Sequence, residues 1–215
     1  MYVRFIGLFS LSVLTACAET QEFVSQKPDI DCQKIACVAL TFDDGPGPYT
    51  DTLLDYLDEY GAKATFYVVG NRVASNAGAI RRMVSEGHEI GNHSWDHTEL
   101  TKLKTPLIEE QIRLTNQAVM SVVGGEPLAT FRPPYGAYNT RVINSAGYPP
   151  TMWDVDTLDW KYRNPTRITR VALRARAGDI ILMHDIHPTT VQAIPALLKQ
   201  LSERGFVFVT LSELG

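Results

Sequence analysis

The sequence predicts one α/β domain, a distorted (β/α) barrel of TIM-like type with about seven β/α units around a parallel sheet. Short apolar runs alternate with amphipathic helical patterns along the chain, and no linker separates them. Polar residues gather just after the predicted strands, where barrel enzymes carry their chemistry. A doubly wound open sheet is the alternative, and its ligand would lie at a single switch point.

The predicted elements follow one another without long gaps. Strands are expected at residues 38–42, 64–69, 88–92, 151–155, 179–183 and 206–209, where short apolar runs end in breaker-rich loops. Helices are expected at 49–60, 76–85, 106–123, 139–146, 165–177 and 191–204. Gly61, Gly87 and Gly147 end three of these helices.

Composition places the chain among ordinary globular proteins. It has 215 residues, of which 45% are hydrophobic and 20% charged, with 20 basic and 24 acidic residues and a net charge of −4. These values exclude a disordered polymer, a collagen-like repeat and a coiled coil. No block of lysine and arginine appears, so we expect no nucleic-acid partner.

Residues 1–16 are predicted to be a lipoprotein-type signal peptide. Arg4 precedes an apolar stretch too short to span a bilayer, and the following Leu-Thr-Ala-Cys resembles a bacterial lipobox ending at Cys17. Acylated Cys17 would anchor the protein to the membrane by lipid alone, facing the cell envelope or the outside. Residues 17–35 would then be a short tether and 36–215 the catalytic domain. A plain signal peptide, giving a secreted soluble form, and a buried N-terminal helix are the alternatives.

Two further cysteines, Cys32 and Cys37, precede the first predicted strand. In an exported protein, two cysteines so close in sequence predict a small-loop disulfide. Two buried free thiols are the alternative. A zinc knuckle would need a second pair of ligands, which the sequence does not offer.

The first two strand-end segments carry candidate metal ligands. Asp43 and Asp44 end the first predicted strand, and His93 and His97 follow the third at a spacing that suits one metal ion. One aspartate with two histidines would leave coordination positions open for water, as catalytic sites do. Taken alone, the aspartates could instead cap a helix, and the histidines could be ordinary surface residues.

Three later segments complete the set of polar strand ends. Arg132 is the first residue of the proline-rich segment RPPYG. The prolines would make this segment a rigid platform that presents an arginine and a backbone N–H, although an ordinary loop is the alternative. The segment WDVDTLDW places Trp160 beside acids, as sugar-binding platforms do, although a strand with a capped helix gives the same pattern. His184 directly follows an apolar strand, where a core histidine is the alternative.

Together these segments resemble the polysaccharide deacetylases of the NodB-homology type, carbohydrate esterase family 4. The resemblance covers roughly residues 36–213. Its five ordered motifs stand here as TFDDGP (41–46), HSWDH (93–97), RPPYG (132–136), DTLDW (156–160) and LMH (182–184).

The resemblance implies a metal centre and a base. Asp43 would be the general base, and Arg132 would hold its carboxylate by an ion pair. Asp44, His93 and His97 would bind a divalent metal, most often zinc, with cobalt or another transition metal as alternatives. Water activated by that metal would attack the acetyl group.

The resemblance also implies an oxyanion donor, a general acid and a pocket for the acetyl group. Tyr135 would offer its backbone N–H to the oxyanion, and Asp159 would orient His184, the general acid. Trp160 and Leu182 would line the pocket for the acetyl methyl group.

The expected function is therefore removal of acetyl groups from N-acetylglucosamine units of a polysaccharide, either peptidoglycan or chitin and its oligosaccharides, by a monomeric enzyme. An O-acetyl esterase acting on acetylxylan could use the same site. A sugar-binding lipoprotein without catalysis would be expected to show damage at Asp43, the metal ligands or His184, and none is found. A zinc-storage lipoprotein would carry His-rich tracts, whereas this chain has five scattered histidines.

Overall fold

The computed structural model describes residues 30–126 and 128–215. The predicted signal peptide, Cys17 and most of the tether lie outside the described residues. Within the described part, the α/β class with a parallel sheet is confirmed.

Six parallel strands make the sheet, in the order β3-β2-β1-β5-β4, with β6 also paired to β1. The strands are β1 (Cys37–Asp43), β2 (Thr65–Val68), β3 (Glu89–Asn92), β4 (Val155–Asp156), β5 (Ile180–His184) and β6 (Val207–Val209).

The first strand organises the sheet because it pairs with three others. Strand β5 lies along one edge from Ala39 to Asp43. On the other edge, β6 pairs with the first residues of β1 and β2 with the last. All seven residues of β1 are buried, as expected for a central parallel strand, which is covered on both faces.

Irregular segments bridge the gap between β3 and β4. Phe131 forms an isolated parallel bridge with Asn92, and its carbonyl accepts a hydrogen bond from Thr151 N at 2.8 Å. Three residues further on, Asp154 N donates to the carbonyl of Ile180 in β5 at 3.0 Å. These bonds continue the ring between the two edge strands, which agrees with the predicted distorted barrel.

Nine α-helices occur in residues 30–126 and 128–215, and the longer ones pack in the order α5-α4-α3-α1-α8-α7. The helices are α1 (Thr50–Glu59), α2 (Gly70–Val73), α3 (Ala77–Ser85), α4 (Thr105–Val123), α5 (Thr140–Ala146), α6 (Asp159–Tyr162), α7 (Pro165–Ala172), α8 (Pro188–Glu203) and α9 (Leu211–Leu214). Most of their apolar faces meet the sheet in one large core, whereas α5 and the first half of α4 pack around Phe131 in a smaller second cluster, as each amphipathic helix must bury its apolar stripe.

The main departures from the predicted elements lie around the fourth strand. A strand was expected at 151–155, but only Val155 and Asp156 pair as a strand, because the backbone of Thr151 bonds instead to Phe131. The helix predicted to reach residue 177 ends at Ala172. The short helices α2, α6 and α9 have no apolar periodicity long enough to reveal them.

A disulfide joins Cys32 and Cys37, as predicted. Cys37 is the first residue of β1 and is buried. The bond therefore ties the segment that enters the domain to the central strand.

None of the helices in the described part of the chain combines the length and the apolar character that a bilayer-spanning segment requires.

Removing this disulfide should destabilise the domain. In the loop-entropy account, a bridge over so short a loop contributes about 2 kcal/mol. We expect the double variant C32A/C37A to lower the free energy of unfolding by about that amount in urea denaturation. Reducing the wild-type protein should shift its midpoint in the same way and leave the variant unchanged. Equal midpoints for the oxidised wild type and the variant would contradict a stabilising role.

Candidate active site

The polar ends of β1, β3 and β5 lie at the same edge of the parallel sheet. Asp43 is the last residue of β1 and is in register with His184 at the end of β5. His93 follows β3 directly. Neighbouring strands lie about 4.8 Å apart, so residues far apart in sequence come together at this edge.

Asp44, His93 and His97 form a cluster whose ligand atoms all lie within 4.8 Å of one another. Asp44 Oδ1 lies 3.4 Å from His93 Nε2 and 3.1 Å from His97 Nε2. The Asp44 and His93 side chains are largely buried, and that of His97 is partly open.

The tautomer of His93 follows from its contact with the backbone carbonyl of Arg132. Its Nδ1 lies 2.6 Å from the carbonyl oxygen of Arg132. A carbonyl can only accept, so Nδ1 carries the proton and donates it. The lone pair of Nε2 then faces Asp44, which is the orientation that a metal-binding imidazole needs.

The donor set fits a divalent cation. Burial raises the pKa of Asp44, but its contacts with His93 and His97 outweigh burial and hold that pKa well below the usual range of an aspartate. Although the imidazoles are near, Asp44 Oδ1 finds no well-oriented hydrogen-bond donor in the described residues. A buried carboxylate oxygen without a donor, next to two imidazole nitrogens, is a site that a transition metal such as zinc would complete.

Arg132 holds Asp43 in place. Its side chain is completely buried, and Nη1 donates to Asp43 Oδ1 at 2.8 Å and to Thr41 Oγ1 at 2.7 Å. The other oxygen of Asp43, Oδ2, lies 3.8 Å from His93 Nε2. One carboxylate oxygen is thus tied to the arginine, and the other faces the cluster of Asp44, His93 and His97.

Backbone strain is concentrated at these loops. Among the described residues, six non-glycine residues have positive φ, and three of them are Asp44 (71°), His97 (63°) and Tyr135 (62°). Left-handed backbone costs a non-glycine residue about 1–2 kcal/mol. Such outliers persist only where the surrounding contacts hold them, and they cluster at functional sites.

Asp159 and His184 form a second unit beside the cluster. Asp159 Oδ1 lies 2.8 Å from His184 Nδ1, and Oδ2 accepts from the His184 backbone N–H at 2.7 Å and from Thr190 Oγ1 at 2.7 Å. Burial lowers the pKa of His184, but the hydrogen bond and charge of Asp159 outweigh it and raise that pKa to about 9. Conversely, burial raises the pKa of Asp159, and the contact with His184 outweighs it and lowers that pKa.

The remaining predicted residues surround these two units. The exposed ring of Tyr135 packs edge-on against His97, with ring centroids 4.6 Å apart. Trp160 is about half exposed at the start of α6, and its backbone N–H donates to Asp159 Oδ1. Leu182 is buried in β5, in register with Asp156 of β4.

Several residues that support the site are not evident from the sequence. Thr41 holds Arg132 and Thr190 holds Asp159. Asp185, next to His184, is fully buried, accepts from Thr50 Oγ1 and packs against Gly45. Burial raises the pKa of Asp185 to about 7. Thr41 lies within a quoted motif, but nothing in the sequence shows that its hydroxyl meets a residue 91 positions away.

Comparison with known proteins agrees with this geometry. The family model described as polysaccharide deacetylase matches residues 31–150. The chain is 47% identical over 179 residues to the peptidoglycan-N-acetylglucosamine deacetylase PgdA of Listeria monocytogenes. That alignment covers 82% of this chain, which spans only 38% of the length of the Listeria protein.

Two solved structures are similar in fold as well as sequence. The peptidoglycan deacetylase PdaC of Bacillus subtilis has a TM-score of 0.83 and 38% identity, covering 86% of this chain and 92% of that one. A family 4 acetyl xylan esterase of Clostridium thermocellum, in complex with a cobalt ion, has a TM-score of 0.79 and 38% identity, covering 83% of this chain and 89% of that one. The chain belongs to the polysaccharide deacetylase family.

Proposed function

We propose that this chain is a metal-dependent hydrolase that removes acetyl groups from N-acetylglucosamine units of peptidoglycan. The observation that carries the proposal is the meeting of two units at one sheet edge. One is the cluster of Asp44, His93 and His97 with Asp43 beside it, and the other is the pair of Asp159 and His184. Hydrolysis of an amide needs a base for water and an acid for the leaving nitrogen, and this edge offers both.

In this proposal Asp43 is the general base, and Asp44, His93 and His97 hold the metal. A zinc ion bound there would polarise the acetyl carbonyl and acidify water. Oδ2 of Asp43 is available to take a proton because Arg132 engages Oδ1. The arginine also keeps the carboxylate fixed relative to the cluster, so the base is in position before the substrate arrives.

His184 is the proposed general acid. A carboxylate accepts the proton on Nδ1, so the proton available to the departing amine is on Nε2. Asp159 keeps the imidazole charged and correctly turned, which is the positioning role of a buried carboxylate behind a catalytic histidine.

Three further residues would complete the site. The backbone N–H of Tyr135 would donate to the oxyanion, and one such donor contributes about 10²–10³ in rate. Trp160 and Leu182 would receive the acetyl methyl group, with the indole also available to pack on a sugar ring.

The choice of glycan rests on the named relatives. The Listeria and Bacillus proteins are named for peptidoglycan, which supports that substrate. The Clostridium relative is named an acetyl xylan esterase, which supports an O-acetyl esterase as the second candidate. Both reactions pass through the same tetrahedral step. Chitin and its oligosaccharides are included because they carry the same N-acetylglucosamine unit.

We also propose that the protein is exported and acts as a monomer in the cell envelope. The support for export is the apolar segment before Cys17, with acylation of that cysteine as the membrane anchor. The Cys32–Cys37 disulfide also supports export because disulfides persist in oxidising compartments.

Acetate release tests the function directly. Zinc-loaded protein is expected to release acetate fastest from peptidoglycan, more slowly from chitooligosaccharide, and least from acetylxylan. Excess chelator should abolish release, and zinc or cobalt should restore it. Undiminished release in chelator, with metal shown to be absent, would reject the metal-dependent reaction. Fastest release from acetylxylan would favour the esterase instead.

Adjacent aspartates should differ in metal binding. Asp44 faces both histidines, whereas Asp43 is tied to Arg132. We therefore expect D44N to weaken zinc binding by more than about 100-fold, and D43N to weaken it by only about 10-fold, near the lower end of the effect of residues outside the ligand set. Zinc titration with a competing chelator measures both. Equal losses would contradict the division of roles.

The pKa of His184, the proposed general acid, should depend on Asp159. A general acid works only while protonated, so turnover should fall as pH rises through the pKa of His184. D159N removes the partner that raises this pKa, and the alkaline limb of the profile of kcat/KM against pH should move to lower pH. D156N is the matched control, since Asp156 accepts from Leu158 N instead. An unshifted limb in active, metal-loaded D159N would contradict the assignment.

A further inference from the structure

The surface formed by α6, α7 and the turn after α7 has an unusual charge. From residue 160 to residue 178 the sequence contains no aspartate or glutamate, although the chain as a whole has a net charge of −4. The cations in this stretch are Lys161, Arg163, Arg167, Arg170, Arg174 and Arg176. They are spaced along the sequence, but Arg167 and Arg170 share one surface depression and Arg174 and Arg176 share another.

These cations lack carboxylate partners. Within the described residues, none of the six lies within 4.0 Å of a carboxylate, whereas Arg82 alone contacts three. Arg174 and Arg176 share a groove with three acids, Asp154, Asp156 and Asp179. The other four cations, Lys161, Arg163, Arg167 and Arg170, form what we call the basic surface.

An aromatic ring orders the basic surface. Tyr162 is 44% exposed, and its ring lies 3.8 Å from Arg167 Cζ and 5.4 Å from Lys161 Nζ. Tyr162, Arg167 and Arg170 also line a shallow depression. Stacking on the ring fixes the Arg167 guanidinium without neutralising it, so the charge stays available to an anion.

The basic surface adjoins the candidate active site. Helix α6 begins with Asp159 and Trp160, and Arg163 Nη1 donates to the Asp159 carbonyl at 3.2 Å. His187, whose ring centroid lies 5.8 Å from that of His184, has its pKa lowered to about 4 mainly by burial and next by the charge of Arg163. A polymer lying across Trp160 would extend onto this surface.

We propose that the basic surface binds carboxylates on side branches of the glycan strand, and so selects an acidic glycan over a neutral one. This inference rests on the proposed deacetylase function and names the substrate class more closely. Peptidoglycan carries peptide branches with free carboxylates, whereas chitin carries none. Arginine guanidinium groups suit such carboxylates because they bind both oxygens at once.

The test compares glycan strands with and without free carboxylates on their side branches. The substrates are peptidoglycan strands, the same strands stripped of free carboxylates by conversion to methyl amides, and a neutral N-acetylglucosamine tetramer. The variant R167Q/R170Q removes two charges from the basic surface. The control R81Q/R113Q removes two exposed charges from α3 and α4 instead. Cosedimentation with intact and stripped peptidoglycan measures binding independently of turnover.

We expect wild type and the control to prefer intact over stripped strands in kcat/KM and in binding, more strongly at low salt than at high salt. In R167Q/R170Q the ratio of intact to stripped strands should be about five-fold smaller, which is the size of effect expected from two partly exposed charge contacts. An equal preference in all three proteins would overturn the inference while leaving the deacetylase function intact.

Two other outcomes separate the hypotheses. If no glycan yields acetate but carboxylate-dependent binding is still lost in R167Q/R170Q, the proposed reaction fails and the binding surface stands. If the variant instead loses only binding to vesicles of phosphatidylglycerol, or to DNA, with an unchanged preference for intact strands, the carboxylate assignment is wrong.

Discussion

The ion pair between Arg132 and Asp43 is the interaction on which the rest of the site depends. A buried guanidinium is costly unless its donors are satisfied, and removing one partner of such a pair costs about 3–5 kcal/mol. Here Nη1, Nη2 and Nε donate to two side chains and to the carbonyls of Thr151 and Met152. Arg132 also lies 4.2 Å above the ring of Tyr67. The arginine thus joins β1 to the irregular segment that continues the ring between β3 and β4.

The main chain of the same residue orients His93, one of the proposed metal ligands. Arg132 N donates to Asn92 at the end of β3, and its carbonyl accepts from His93 Nδ1. On the opposite side of the site, Asp159 accepts from His184 Nδ1. Both histidines therefore have the Nδ1 proton engaged by an oxygen acceptor, which leaves Nε2 exposed toward the site. In the proposed mechanism this arrangement would orient His93 as a metal ligand and His184 as the general acid, and the carboxylate of Asp159 raises the pKa of His184 to about 9.

The sequence predicts most of the fold and the principal polar residues, because both follow from local pattern. Apolar runs mark the strands, and Asp43, Asp44, His93 and His184 lie at or just beyond strand ends. The sequence does not predict what depends on register or on distant contacts. Thr50 and Asp185 meet across 135 positions. The ring is continued by backbone at Phe131, which lies in no predicted strand, and at Thr151, where the expected strand does not form. The basic surface is also not evident from the sequence, because neutral residues separate its cations and no basic block appears.

The two adjacent aspartates show why backbone conformation has to be known before roles can be argued. Successive side chains of a strand point to opposite faces, so Asp43 and Asp44 could not both reach one histidine if the strand continued. Strand β1 ends at Asp43, and Asp44 has φ of 71°. That turn brings Asp44 Oδ1 to 3.4 Å from His93 Nε2 while Asp43 Oδ2 lies 3.8 Å from the same atom. The strain at Asp44 is thus the condition for placing two carboxylates beside one imidazole, with Arg132 available to only one of them.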